Sequence, residues 1–299
     1  MSTPDAVARS ERAKPVMLLI IWLSSPRPGA GRCCKLRRSL ADGQQLLTAG
    51  GCVQLEFGDV SLTGDRDDNQ DRATVAIGDG AALLVAMDGM GGHAYGARAA
   101  EAGCQVLLEM FHSLPKPLFD PLGFLHLGLG RAHAAVVALG TKLSLELRPR
   151  ATCAVCLVQR GEAYWAHVGD SRVYHLRGGE VLARTRDHSH VEQLLREGAI
   201  REEEVQGHPM RNYVECCLGG EPSLPEMSLS RRQPLAAGDV LLVCTDGIWA
   251  NLKDPEIAGF WRPGNGSCSE ALATLARRAV AASAPHSDNA SAASLCWRH

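Results

Sequence analysis

The chain alternates between short, wholly apolar runs and longer stretches in which apolar positions recur every three or four residues. A run such as Leu83–Met87 shows no polar face, which is the mark of a strand covered on both sides. Three pairs of such segments flank turn residues. Arg72–Ile77 and Ala82–Met87 surround Gly78-Asp79-Gly80; Thr152–Val158 and Ala163–Val168 surround Arg160-Gly161; Val173–Leu176 and Glu180–Ala183 surround Arg177-Gly178-Gly179. Connections this short join antiparallel strands. Helical spacing runs over Ala94–Phe111, Pro121–Leu139 and His188–Glu197, although Gly123, Gly128 and Gly130 weaken the second. Ser267-Cys268-Ser269-Glu270 is a capping box that opens a helix reaching about Ala282. Strand blocks joined by hairpins, with helices between them, predict an α+β fold: antiparallel sheets packed as a sandwich and covered by helices.

The first 50 residues have a different texture. Arg9, Arg12 and Lys14 precede Val16–Leu23 (VMLLIIWL), an apolar run too short to span a bilayer. Basic residues before a short apolar core resemble a signal peptide, yet no small-residue cleavage site follows. We read residues 1–50 as a poorly ordered extension and 51–299 as one domain, cytoplasmic and without stable membrane insertion. A formal net charge of -2 and 5% aromatic residues argue against a nucleic-acid partner. The 11 cysteines are odd in number and irregularly spaced, so they predict reduced thiols rather than a disulfide framework. Cys153 and Cys156, three apart on a strand, face opposite sides and cannot share a metal.

Two apolar runs end alike. Leu83–Met87 delivers Asp88 to Gly89, and Leu241–Cys244 leads through Thr245 to Asp246 and Gly247. Further aspartates stand at Gly169-Asp170-Ser171-Arg172, in the stretch Asp65 to Asp71, and at Asp288-Asn289. Carboxylates gathered at strand ends without matching lysines repel one another unless a hard cation neutralises them. Carboxylates, a backbone carbonyl and waters are the ligand set of Mg²⁺ or Mn²⁺. A bare backbone at Gly89 lets its carbonyl approach such an ion. Two ions roughly 4 Å apart lower the pKa of a shared water enough to make a nucleophile at neutral pH. Arg66 supplies a planar fork for two phosphate oxygens.

Six motifs in order carry a resemblance: Gly64-x-Arg66-x-x-Asn69-Gln70-Asp71, Asp88-Gly-Met-Gly-Gly-His93, Gly169-Asp170-Ser171-Arg172, Arg186-Asp187-His188-Ser189, Thr245-Asp246-Gly247 and Asp288-Asn289. Over about residues 54–298 the chain resembles the metal-dependent protein phosphatase family (PPM, type 2C) in its compact bacterial form. The resemblance implies a four-layer α-β-β-α sandwich with the metals at one edge. It implies hydrolysis of phosphoserine and phosphothreonine by an activated water, with no phosphoenzyme and no catalytic cysteine. It assigns Asp88 as the bridge between two Mn²⁺ or Mg²⁺ ions. Asp246 and Asp288 complete one ion, the Gly89 carbonyl serves the other, Asp71 acts through a water, and Arg66 grips the phosphate. Partners would be phosphorylated proteins, the products of a cognate Ser/Thr kinase.

The resemblance has departures. A Gly-Thr-Thr run of relatives is replaced by Pro149-Arg150-Ala151-Thr152, which leaves Glu146 as the nearest upstream carboxylate for a third ion. Met90 stands where some eukaryotic members carry a histidine assigned as general acid. Methionine transfers no proton, so a water or another residue must protonate the leaving group. Pro285-His286-Ser287 replaces the paired glycines often found before the last aspartate. Asp170 reads as part of a structural turn, and His93 as orienting the glycine loop rather than as an acid. Residues 188–225 would form a flap beside the site, where Arg211 is either a solvated charge or a substrate contact. A catalytically weak pseudo-phosphatase that binds phosphoprotein without turnover, and a sigma-factor regulatory switch on the same fold, are the rival readings.

Overall fold

Strands covered on both faces need sheets stacked on each other, and the computed structural model has this arrangement. It describes residues 44–48, 51–90 and 93–298. The chain enters through β1 (Gln44–Thr48) and β2 (Gly51–Leu62), then forms the hairpin β3 (Asp71–Gly78) and β4 (Ala81–Met90). Two long helices follow, α1 (His93–Ser113) and α2 (Pro121–Leu139). Pro121 suits the first turn of α2, and the Asp120 carboxylate accepts the Gly123 N–H at 2.9 Å. The next strands are β5 (Arg150–Ala151), β6 (Cys153–Gln159), β7 (Glu162–Val168), β8 (Arg172–Arg177) and β9 (Glu180–Arg184). The β6–β7 turn places Arg160 at φ 54° and Gly161 at φ 74°, the left-handed pair of a two-residue hairpin. Short elements come next: α3 (His190–Arg196), α4 (Glu202–Val205), β10 (Leu218–Gly219), β11 (Ser228–Leu229) and β12 (Gln233–Pro234). The chain closes with β13 (Asp239–Cys244), α5 (Asp246–Trp249), α6 (Asp254–Gly259), α7 (Cys268–Ser283) and β14 (Ala290–Trp297). Ser267 and Glu270 form the capping box expected at α7.

One sheet runs β1-β2-β14-β13-β8-β9, the other β10-β5-β4-β6-β7-β11, with β3 on β4 and β12 on β7. Strand pairs are antiparallel throughout. Alternate residues of one strand serve different layers. Leu83, Val85 and Met87 of β4 pack with Leu107 and Phe111 of α1 and Leu125 of α2. Ala82, Leu84 and Ala86 face the other sheet, among Val243 and Leu295. Val240 and Leu242 of β13 pack outward with Ile257 of α6 and Leu272 and Leu275 of α7. This is the four-layer sandwich, and it explains why the runs before Asp88 and Asp246 are uniformly apolar. Each buried large side chain contributes about 1.5–3 kcal/mol, so the layers fix the strand ends firmly.

Two expectations are corrected. The strand Gln44–Thr48 pairs with β2 from Gln44↔Leu55 to Thr48↔Gly51, so the folded part begins before residue 50. The rest of the expected extension, residues 1–43 including Val16–Leu23, lies outside the described residues. The cysteines are not all reduced: Cys268 and Cys296 form a disulfide. They stand 28 positions apart, but the first turn of α7 lies over β14 and brings their Cα atoms to 6.1 Å, within bonding range. Cys104, Cys153, Cys156, Cys216, Cys217 and Cys244 are free. Cys153 packs toward the helices and Cys156 between the sheets, as the strand spacing predicts.

Candidate active site

Four aspartates meet at one edge of the sandwich because four strand ends meet there. Asp71 is the first residue of β3, and Asp88, near the end of β4, is its direct partner across the hairpin. Asp246 follows β13 at the start of α5, and Asp288 stands just before β14, the neighbour of β13. Like charges directly opposite on antiparallel strands are unfavourable. A fold that keeps them holds them by other bonds. Asp71 is buried; it accepts the Thr245 hydroxyl at 2.7 Å, and its own N–H donates to the Asn69 side chain at 3.0 Å. Asn289 donates to the carbonyls of Thr63 (2.8 Å) and Asp68 (2.9 Å) and accepts from the Gln70 N–H (2.8 Å). The loop carrying Arg66 is thereby stitched to the loop carrying Asp288. Ser287 has its own use there, donating N–H and hydroxyl to the Asp65 carboxylate at 3.0 and 2.7 Å.

Gly89 has a steric reason to be glycine. A Cβ there would lie 2.0 Å from the carbonyl oxygen of Gly96 and 2.8 Å from that of Gln70. Only a bare backbone lets α1 pack this closely on the strand end.

Burial and mutual repulsion raise the carboxyl groups. Asp88 is held well above the usual carboxylate range by burial and then by Asp71, Asp246 and Asp288, with Arg66 partly opposing. Asp71 is likewise raised well, chiefly by burial, against the Thr245 hydrogen bond. Asp246 is pushed up to about 6 by burial and Asp288. The nearest ion pair is bidentate: Arg66 Nε donates to Asp288 Oδ1 at 3.0 Å and Nη2 to Oδ2 at 2.8 Å. Arg66, Asp88 and Asp288 border a cleft of about 380 Å³, lined also by Gln70, Gly89 and Met90 among others, with Asp71 buried and Asp246 half-buried behind it. The donors are oxygens only, and each buried carboxylate is destabilised by its neighbours. That is the donor chemistry a hard divalent cation suits. Among the described residues no three carboxylate, imidazole or thiol side chains already enclose a single point, Asp288 being turned onto Arg66.

Arg66, Asp71, Asp88, Gly89, Asp246 and Asp288 are thus brought together. Glu146 is not: it is exposed on the single 3₁₀ turn Leu145–Leu147, and the cleft lining does not include it. Asp170, read from sequence as a turn residue, is 6% exposed and raised well by burial and then by Asp246, Asp187 and Asp88, so it belongs electrostatically to the cluster. Gly91, Gly92 and the side chain of His93 lie outside the described residues. The segment 188–225 holds α3 and α4 and returns to the sheet where β10 pairs with β5. Arg211 within it is half-buried, and its charge lowers the pKa of Asp246. Sequence reasoning gave no role to Thr245 or Asn69. Their place beside predicted site aspartates at strand ends was the available signal.

The family Protein phosphatase 2C matches residues 63–281 of the chain. The serine/threonine protein phosphatase PstP of Mycobacterium tuberculosis is 32% identical over 179 residues, 60% of this chain and 34% of that protein. The chain therefore spans about a third of the length of that relative. The crystal structure of the Mycobacterium tuberculosis phosphatase PstP/Ppp superposes with a TM-score of 0.70 at 29% identity, covering 83% of this chain and 100% of the other. The catalytic domain of PstP in complex with 2 manganese ions superposes at 0.68 with 27% identity, covering 83% of this chain and 99% of that one.

Proposed function

The chain belongs to the protein phosphatase 2C family, and from that membership we propose that it hydrolyses phosphoserine and phosphothreonine in proteins, using two divalent cations, Mn²⁺ or Mg²⁺, held at the aspartate cluster. The observation that carries the reading is Asp88, paired across the hairpin with the buried Asp71, at a cleft whose wall presents Arg66. Asp88, Asp246, Asp288 and the Gly89 carbonyl would hold the ions, with Asp71 acting through a water. Bound there, the ions would neutralise the carboxylates and lower the pKa of a water to make it nucleophilic.

The chain's own residues do the rest. Arg66 exchanges Asp288 for two oxygens of the substrate phosphate, which leaves Asp288 open to the cation side. Asp71, held by Thr245, accepts a hydrogen bond from the attacking water and fixes its direction. The serine or threonine oxygen leaves with a proton from solvent or from a group other than Met90. No phosphoenzyme forms; neither a cysteine nor a serine is among the described residues lining the cleft. The segment 188–225 would be the flap that shapes access for protein substrates. The proposal extends to a cognate Ser/Thr kinase that makes those substrates and to a cytoplasmic setting. The free cysteines support that compartment, and the Cys268–Cys296 disulfide speaks against it.

The test is a turnover of peptide carrying ³²P-phosphothreonine by the full chain with Mn²⁺, quenched during the reaction. The label should appear as free phosphate, with none on the protein. Label retained on the chain would overturn the direct attack by water.

A further inference from the structure

The helix that begins with Asp246 is a single turn, Asp246–Trp249. A helix this short has no stability of its own, so Asp246 sits where the surroundings of α5 put it. At the other end of the turn, the Trp249 indole N–H donates to the Asp170 carbonyl at 3.1 Å. The face of the ring lies 3.5 Å from the guanidinium carbon of Arg172, within the range of a cation–π contact. Arg172 cannot swing away. Its Nε and Nη2 donate to the two oxygens of Asp187 at 2.8 and 2.7 Å, and its Nη1 to the Tyr174 hydroxyl at 3.0 Å. Both side chains of the Arg172–Asp187 pair are almost wholly buried. A fully paired, buried, bidentate arginine is a rigid platform.

We infer that Trp249 is the positioning residue for Asp246: the Arg172–Asp187 pair and the Asp170 carbonyl hold the indole, and the indole holds the one-turn helix that presents the carboxylate. The inference rests on the metal-dependent reading above and adds to it. It gives Arg172 and Asp187, neither of which lines the cleft, a function exerted through Trp249. A tryptophan that merely filled space would need neither its N–H aimed at a carbonyl nor a fixed cation over its ring. Moving Asp246 should therefore show first in cation binding, before it shows in folding.

The experiment is Mn²⁺ titration of the full chain by calorimetry for wild type, Trp249→Leu and Trp249→Phe, with melting temperatures taken in EDTA. Trp249→Leu removes both the ring and the N–H and should weaken Mn²⁺ binding at least tenfold while melting within a few degrees of wild type. Trp249→Phe keeps an aromatic face for Arg172 but loses the N–H and one ring of the indole; it should weaken binding about threefold. Mn²⁺ affinity unchanged in Trp249→Leu, with or without a lower melting temperature, would overturn the positioning role. Should Trp249→Leu not fold, unchanged affinity in Trp249→Phe would overturn it instead. A wild-type chain that binds no Mn²⁺ would overturn the phosphatase reading, and this inference with it.

Discussion

Arg66 is asked to do two things at once, and Arg66→Ala separates them. In the structure its guanidinium donates to Asp288 through Nε and Nη2. The two side chains are 60% and 43% exposed, so water screens the pair. Exposed pairs contribute about 0.2–1 kcal/mol. The metal-free variant should therefore melt only about 1–3 °C lower, since roughly 1 kcal/mol moves a domain of this size by about 2–4 °C. The same arginine competes with a cation for Asp288. Its removal should tighten Mn²⁺ binding by up to about fivefold, the same 0.2–1 kcal/mol returned as affinity. The cost should fall on catalysis. Losing a bidentate charged donor to the reacting phosphate should lower kcat/KM by about 10²–10³-fold, or roughly 3–4 kcal/mol of transition-state stabilisation. Calorimetry with Mn²⁺ and steady-state phosphate release on the same preparations read both effects. Mn²⁺ binding that weakens together with activity would refute the reasoning, because Arg66 would then support Asp288 as a ligand rather than compete for it.

Three further outcomes follow from particular contacts. In EDTA, Asp246 titrates near 6 in the fold against about 3.8 unfolded, raised by burial and Asp288, so its protonated form stabilises the fold; that stabilisation is complete below 3.8 and is lost as pH rises through 6. Urea unfolding should show wild type losing roughly 1–3 kcal/mol relative to Asp246→Asn between pH 4 and 7, and a gap that does not change with pH would contradict this. The Cys268–Cys296 disulfide closes a loop of separation 28, so Cys296→Ala should cost about 3–4 kcal/mol; dithiothreitol should lower the melting temperature of wild type alone. Gly89→Ala places a Cβ 2.0 Å from the Gly96 carbonyl oxygen and should cost about 2 kcal/mol or more in urea unfolding, whereas a neutral effect would show that α1 can move off the strand.

Much of this architecture was legible because local chemistry dictates it. The run before Asp88 has no polar face since β4 packs against α1 and α2 on one side and the opposite sheet on the other. Ser267-x-x-Glu270 marks a helix start by capping, and α7 begins there. The carboxylates could be found because two apolar runs end in the same Asp-Gly pair. What escaped depends on contacts distant in sequence. The Arg66–Asp288 bond joins residues 222 positions apart. The strand Gln44–Thr48 gains its place from pairing with β2, and its own pattern gives no alternation to detect. Helix α5 is one turn long, too short for periodicity, and the platform beneath Trp249 is assembled from β8 and the segment after β9. Asp170 stands in the bend expected of Gly169-Asp170-Ser171, but its burial beside Asp246 cannot be seen from that turn.

The most direct test of the central claim is phosphate release from a phosphothreonine peptide by the full chain, measured with Mn²⁺, with EDTA, and in Asp88→Asn with Mn²⁺. Asp88 faces Asp71 and borders the cleft, so both chelation and this one-atom change should abolish release while the protein stays folded. Release that persists in EDTA, or in a folded Asp88→Asn chain, would contradict a cation-dependent hydrolysis at this cluster.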